Sequence, residues 1–586
     1  MPKPKGTASG SQRSWPIHIE KQNLKTRIEK TTKLDGDAET TFVSTYNGLR
    51  VVPFDLFSTL RVQKVTDANG QPLSFIQEEK NDDPLYVVIL TRELAAGERF
   101  TIHTVYEGKD ALLDTGGGNF YPIARTNWYP SSSFGDYAEY EMEFRIPKGL
   151  TMVASGSLLK QFNEGDQAVS QWKTEAAEAV AGFSYGKFNK KEIKLEKLNG
   201  FLAQSFANSD IPDMARSARD VADDPMFIGR NVDAYIEPVG TLSTAASLDK
   251  PLAEAQMAIG LYTAYFGPLT YKHVAVTQQT ACFYGQSWPT LVYLPMCAFY
   301  DSTQRHAFRM DDVKGQFWEI VGPHELAHQW WGHMVGFNSY RDQWISEGFA
   351  ELSASIFIQA VYGKTEPDRY AKIWSRQREL LTERNAQGWR AIDVPITLGY
   401  RGENSKTGDV TRRLIYPKGA YILHMIRMMM WNDAIPNHDQ TFQEMMHDFT
   451  HTYTDRVATT EDFKAMVEKH MTDQMNLDNN KRMDWFFNEY VYGTGLPAYK
   501  LDYSFKEQNG TPVLSFKITQ SNVDKDFKML VPLYVQLADG RILRLGSANI
   551  TGNGSFGQDI PLTGVKQTPK KAMINHYYDV LATEAK

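Results

Sequence analysis

The sequence predicts a multidomain α+β protein in three parts: a large N-terminal antiparallel β domain, a mixed α/β domain and a small C-terminal β-sandwich. Two observations carry this expectation. At 586 residues the chain exceeds one ordinary domain. Its texture also changes twice, from strand-and-turn alternation to helical periodicity near Ala234, and back to alternation after TGLPAY.

Residues 1–15 read as a flexible tail, with basic and small residues but no apolar h-region of a secretory leader. Residues 16–233 read as the β domain: HIEKQNLKTRIEK alternates, EMEFRIPKGLTMVASGSL follows, and DANGQP and IPKG break the runs. PDMARSARDVADDP interrupts them with a helical pattern. In residues 234–497, PLAEAQMAIGLYTAYFG sets Leu252, Ala255, Ile259, Tyr262 and Phe266 near one helical face, and Gly267-Pro268 stops it. HVAVTQQTACF and TLVYLP read as strands. YILHMIRMMMW is a helix whose methionine face belongs to the core, and TTEDFKAMVEKHM opens with a Thr459 cap and Asp462 three residues on. Residues 498–586 alternate through YKLDYSF, VLSFKITQ and MLVPLYVQLADGRILRLG, the pattern of the sandwich. No repeat or low-complexity tract intervenes.

Composition bounds the function. Hydrophobic residues at 42% and charged residues at 23% are those of a soluble globular chain. A net charge of −7 gives no reason to expect nucleic acid or an anionic membrane as partner. No apolar run approaches the roughly 18 residues of a transmembrane segment. Two cysteines, Cys282 and Cys297, exclude a disulfide framework; free buried thiols are the simpler expectation, with one bridge left open. The compartment stays open between cytoplasmic and extracytoplasmic with a native leader removed.

The chemistry is concentrated in PHELAHQWWGH, residues 323–333. His324 and His328 are i and i+4, so a helix stacks them on one face within reach of one ion. Glu325 lies about 100° further round, beside the metal rather than on it. This is HExxH, two zinc-binding histidines with a glutamate as general base. His333 points away from the pair and reads as an ordinary polar or packing residue. A catalytic zinc needs a third protein ligand and an open position. Glu347 in WISEGFAE follows His328 after eighteen residues, on a second helix ending at Gly363. Glu351, one turn further, is expected to accept from the outer nitrogen of His324 or His328, a plain exposed glutamate being the alternative. A chance HExxH arises roughly once in sixty chains of this length, and roughly once in a thousand with the later glutamate, so one zinc per chain is favoured over a structural histidine pair. Gly322-Pro323 precedes the motif, where the helix either starts or kinks.

HELAHQWWGHMV followed by QWISEGFAE resembles the zinc aminopeptidases related to aminopeptidase N and leukotriene hydrolase, the gluzincins. YFGPLTYKHVAV, YPKGAYILHMIR, TTEDFKAMVEKH and WFFNEYVYGTGLPAY extend the likeness over most of the chain. The resemblance implies a saddle-like N-terminal β domain, a thermolysin-like catalytic domain and a β-sandwich, with no C-terminal helical domain. It implies peptide or protein substrates, His324, His328 and Glu347 as zinc ligands, Glu325 as base, and Tyr416 as the hydrogen-bond donor to the developing oxyanion.

One departure stands out. The family holds the substrate's free amine with a glutamate in GxMEN, on the edge strand before the HExxH helix. Aligning Trp288 and LVY of CFYGQSWPTLVYLP puts Gln286 at that glutamate and Ser287 at the asparagine, as the candidate substrate-binding residues. A second anchor is expected near GGGNFYPIAR, which offers Asn119 and Phe120 but no carboxylate. Glutamine accepts a hydrogen bond from ammonium without neutralising it, and losing one partner of a buried charge pair costs about 2–5 kcal/mol. Three readings therefore stand: an aminopeptidase with an atypical amine anchor, a peptidase that cleaves internal bonds or blocked N-termini, and a non-catalytic zinc-bearing interaction protein.

Overall fold

The computed structural model describes residues 16–79, 84–114, 118–122, 127–132, 136–209, 247–279, 285–300, 313–402 and 408–583. The tail, PDMARSARDVADDP and the predicted boundary near Ala234 lie outside these residues. The chain forms two compact units, Met1–Asn338 with Tyr453–Val457, and Ser339–Thr452 with Ala458–Lys586.

In the first unit a seven-stranded sheet runs in the order Ser157–Glu164, Gln167–Lys173, Glu139–Pro147, Ile17–Ile28, Leu34–Ser44, Arg99–Gly108, Leu60–Asp67. Leu34–Ser44 shows why it forms: every second residue is buried from Leu34 to Ser44, so one face lies on the core. The aromatic centre of that core includes Trp128, edge-on to Phe183 with ring centroids 4.9 Å apart. The expected all-antiparallel sheet needs a correction. Ile17–Ile28 pairs with Glu139–Pro147 in parallel. These strands are separated by most of the intervening domain rather than a hairpin, and only a hairpin would force antiparallel pairing.

A second sheet carries the motif region. We label its strands β1 (Phe188–Leu195), β2 (Phe201–Asn208), β3 (His273–Gln279), β4 (Gln286–Trp288) and β5 (Leu291–Pro295), in the spatial order β1-β2-β3-β5-β4. β2, β3 and β5 are mutually parallel, and β4 returns antiparallel along β5 to form the edge. β3 is buried at all seven positions, as a strand covered on both faces must be. Cys297, just past β5, is disulfide-bonded, which corrects the expectation of free thiols. The chain's only other cysteine is Cys282, which lies outside the described residues. Spacing alone could not decide this, because bridging depends on how the backbones approach.

Helices α1 (Asp249–Phe266) and α2 (Val313–Ala327) pack in the same unit. α1 buries Ala255, Ile259, Tyr262 and Phe266 as its period predicts, and ends where Gly267 turns to φ +90°. α2 neither begins nor stops at Pro323; it carries the proline inside. The Tyr262 hydroxyl donates to the Pro323 carbonyl at 3.1 Å, bracing α1 against this point of α2.

The second unit holds α3 (Trp344–Tyr362), α4 (Pro367–Thr382), α5 (Gly419–Met430) and α6 (Thr460–His470). All twelve residues of α5 are buried, so its methionines are core, as read. Arg427 on α5 is buried too, its guanidinium bonded to Asp439, Tyr370 and Gln359. α6 begins with the predicted capping box of Thr459 and Asp462. Asp342 accepts from the Thr460 amide at 2.8 Å and Trp344 Nε1 donates to Thr460 Oγ1 at 3.1 Å, which ties the start of α3 to the start of α6. Beyond them, six strands form two three-stranded sheets.

Glu489, between the helices and these strands, accepts from the Lys528 amide at 2.7 Å. Burial pushes its carboxyl up to about 8, against the lowering effect of that amide. The folded value lies above the ordinary glutamate value of 4.5. The neutral carboxyl is therefore tolerated below pH 4.5, and its contribution is lost as pH rises through 8. Glu489→Gln is expected to leave the melting temperature nearly unchanged at pH 5 and to raise it at pH 8.5, measured by calorimetry across that range.

Candidate metal centre

α2 delivers the first part of the site. His324, Glu325 and His328 are 8%, 7% and 9% exposed, so a helix end carries three buried polar side chains in two turns. The imidazole Nε2 atoms of His324 and His328 face each other 3.2 Å apart. Two nitrogens bound to one tetrahedral zinc at about 2.05 Å would sit roughly 3.3 Å apart, so the pair already has the spacing that a shared ion requires. His328 Nδ1 is 2.8 Å from the Trp331 carbonyl, which places the proton on Nδ1 and leaves Nε2 as the lone-pair donor.

Glu347, in the first turn of α3, completes the set. The ligand atoms of His324, His328 and Glu347 lie within 4.8 Å of one another. Two imidazoles and one carboxylate form the donor set of a catalytic zinc, with a fourth position for water or substrate.

Gly348, next to Glu347, abuts Gly419 at the start of α5. A Cβ on Gly348 would lie 2.7 Å from Gly419 Cα, and one on Gly419 would lie 2.9 Å from Gly348 Cα. Only glycine permits this backbone approach. Tyr416 sits just before α5 in Leu414–Lys418, a wide π-helical turn containing Pro417. Proline removes one helical hydrogen bond, which accounts for the widening. Lys418 ends the turn fully buried, its Nζ donating to the carbonyls of Val394 at 2.8 Å and Gly493 at 3.1 Å. Burial draws its pKa down to about 7.

Glu325 borders the edge strand. A Cβ on Gly285, immediately before β4, would lie 2.3 Å from Glu325 Oε1. Sequence reasoning passed over this glycine, because nothing local announces that a carboxylate from another element fills its side-chain space.

The other predicted residues are placed as follows. Gln286 is half-buried, its Nε2 donating to the Ser287 carbonyl at 3.2 Å. It pairs with Tyr293, whose ring lies 5.7 Å from Tyr121. Asn119 is fully buried: its Nδ2 donates to the Gln278 carbonyl, and its Oδ1 accepts from Ser184 at 3.0 Å. Phe120 stacks on Tyr185 at 4.8 Å. Both residues of that stretch are thus engaged in packing. Glu351 accepts from Gln377 Nε2 at 2.5 Å. His333 is 6% exposed, stands outside the metal-binding group, and reaches the Ser287 carbonyl with Nε2 at 2.8 Å.

Two histidines and a glutamate of this spacing, with a second glutamate beside them, define a gluzincin metal centre. Residues 270–490 match the peptidase family M1 domain, and this match, together with the relatives and solved structures that follow, supports a gluzincin, aminopeptidase N-like family. Aminopeptidase N of Lactococcus lactis subsp. lactis is 27% identical over 209 residues, 33% of this chain and 23% of that protein. Human endoplasmic reticulum aminopeptidase 2 is 25% identical over 203 residues, 34% of this chain and 19% of that protein. The matched stretches thus span about a quarter or less of these two relatives. In fold, the chain is similar to an M1 zinc metallopeptidase from Deinococcus radiodurans, with TM-score 0.58 and 18% identity over 83% of this chain and 96% of that one. It is also similar to Legionella pneumophila aminopeptidase A, with TM-score 0.67 and 12% identity over 98% of this chain and 60% of that one.

The metal set makes a direct prediction. The purified chain is expected to hold one zinc by elemental analysis, and His328→Gln or Glu347→Gln is expected to leave it substoichiometric while the fold, followed by circular dichroism, is retained.

Proposed function

We propose that the chain is a zinc metallopeptidase that hydrolyses peptide bonds, an aminopeptidase with an atypical amine anchor. The observation that supports this most is the convergence of His324, His328 and Glu347 within 4.8 Å, with Glu325 directly against the edge-strand residue Gly285. The saddle-like, thermolysin-like and sandwich architecture, with boundaries at 233 and 497, belongs to the same proposal.

Zinc held there supplies Lewis acidity, acidifying water and polarising a peptide carbonyl. Glu325 takes the proton of the attacking water on its carboxylate and hands it to the leaving amine. Its burial, 7% exposed, strengthens the electrostatic interactions of that carboxylate. Tyr416 donates its hydroxyl hydrogen to the oxygen on which negative charge develops, a contact whose loss costs about 100-fold or more. Glu351 stays proposed as the acceptor behind His324 or His328, in addition to the bond it accepts from Gln377. Peptides are the substrates. A structure of the Deinococcus protein holds a Tyr-Ser-Ala substrate, and the Legionella protein was solved with aspartic acid. The disulfide at Cys297 supports an oxidising compartment over the cytoplasm.

A second reading, cleavage of internal bonds or of blocked N-termini, is favoured by one observation. Gln286 is neutral, and Asn119 is buried in packing, so neither offers a charge to an ammonium group. One peptide in free and N-acetyl forms separates the readings by mass spectrometry. Removal of single residues from the free form alone supports the aminopeptidase; internal cleavage of both forms supports the second reading. Glu325→Gln is expected to keep its zinc and lose turnover by about 100-fold or more, at the scale of a general-base loss. Zinc that copurifies with a wild-type chain showing no turnover, with Glu325→Gln changing nothing measurable, would instead leave the chain a zinc-bearing interaction protein.

A further inference from the structure

The residue immediately after the second histidine reaches across to the edge strand. Gln329 is fully buried. Its Oε1 accepts from the Thr290 amide at 2.8 Å, and its Nε2 donates to Ser287 Oγ at 2.8 Å and to the Trp288 carbonyl at 2.9 Å. His333 Nε2 adds a contact to the Ser287 carbonyl at 2.8 Å. One helix end thus fixes the whole turn from β4 into β5.

That turn needs fixing. Thr290 has φ +60°, the left-handed region that a β-branched residue avoids. Besides Gln329, Thr290 is held through its Oγ1 by the Gly156 amide at 2.8 Å, and through its carbonyl by the Ala275 amide at 2.8 Å. Strained backbone persists where the surroundings over-determine it, and such places cluster at functional sites.

The geometry has a register. Glu325 borders Gly285, and Gln329 binds Ser287. Four residues of helix rise roughly 6 Å, and two residues of strand span roughly 6.6 Å. Glu325 near the end of α2 and Gln329 just past it therefore meet Gly285 and Ser287, two residues apart along one strand segment, and β4 is the edge of its sheet among the described residues. An edge strand is where an extended peptide can add as a further strand.

We propose that Gln329, assisted by His333, is a positioning residue that locks β4 in register with the metal-bearing helix, so that the backbone of a bound peptide is aligned to Glu325 and the metal ligands. The inference rests on the peptidase reading for its functional half only. The clamp aligns the substrate backbone and takes no part in proton transfer. Its loss therefore acts on binding of extended substrates rather than on the chemical step.

The test has two arms. In hydrogen exchange of the zinc-loaded wild-type chain, the Thr290 amide should be strongly protected. In Gln329→Met, which keeps the length but no hydrogen-bonding groups, residues 286–292 should exchange about 10-fold faster or more, the scale of losing a buried hydrogen-bond partner. In the kinetic arm, Gln329→Met should raise KM for a peptide of several residues about 10-fold, with kcat little changed. KM for a single-residue anilide, which has no extended backbone to align, should move much less. Ser287→Ala removes only one of the contacts and should give smaller changes in the same direction, which keeps the test usable if Gln329→Met does not fold. An unprotected Thr290 amide in the wild type, unchanged exchange at 286–292 in Gln329→Met, or equal loss of kcat on both substrates with KM unmoved would overturn the clamp. A wild-type chain that cleaves neither substrate would overturn the peptidase reading, and with it the alignment role. The exchange arm would still decide whether the clamp exists.

Discussion

Two imidazole nitrogens held 3.2 Å apart in a buried helix end are a costly arrangement, and much of the surrounding structure serves to maintain it. A proton or a cation between the two nitrogens joins them, and their spacing suits either. The Trp331 carbonyl fixes one ring, and the turn that presents this carbonyl is in turn fixed by neighbouring contacts. Trp330 donates to the Gly267 carbonyl at 3.0 Å, and Tyr262 donates to the Pro323 carbonyl. α1 thus grips α2 on both sides of the histidines. The glycine that ends α1 and the proline inside α2 are parts of the same support.

Close approach of backbones is the second constraint. Gly285 gives up its side-chain space to Glu325, and Gly348 and Gly419 let α3 and α5 touch beside Glu347 and Tyr416. At each point a candidate site residue is adjacent in sequence or in space to a glycine whose Cβ would collide. The site is therefore specified as much by missing side chains as by the ligating ones. A methyl group at any of these positions would force apart elements whose separation sets the placement of the carboxylates and the tyrosine.

What was legible in the sequence follows from this. The i, i+4 histidines, the later glutamate, the face of α1, the Thr459 cap and the methionine core are local patterns set by helical period or capping chemistry, and each could be read from a short window. Long-range facts were hidden. The parallel pairing of Ile17–Ile28 with Glu139–Pro147, the disulfide at Cys297 and the contacts of Gln329 join residues far apart in the chain. Pro323 left a helix start and a kink both open, because a proline inside a helix is tolerated only when neighbours compensate, and Tyr262 is distant in sequence. Gln329 lay in full view in HELAHQ, yet glutamine after a metal ligand has no signature until its three partners are placed.

Charge counting explains why position 286 matters more than its neighbours. With zinc bound, the two positive charges of the ion are balanced by Glu347 and Glu325, so these groups together are neutral. In the gluzincin aminopeptidases that this chain resembles, the GxMEN glutamate adds one negative charge, and the ammonium of the substrate cancels it. A neutral N-terminus would leave that glutamate desolvated and unpaired, a cost on the scale of about 2–5 kcal/mol. If Gln286 takes that glutamate's place, as proposed, the surplus charge is absent before any substrate arrives. The penalty against blocked or internal peptide segments falls away, and the premium for a free amine falls with it. Under that proposal, selectivity for chain ends would come from shape and from backbone hydrogen bonds. That places the burden on the edge strand β4, whose position is set by the Gln329 contacts rather than by an ion pair at its surface.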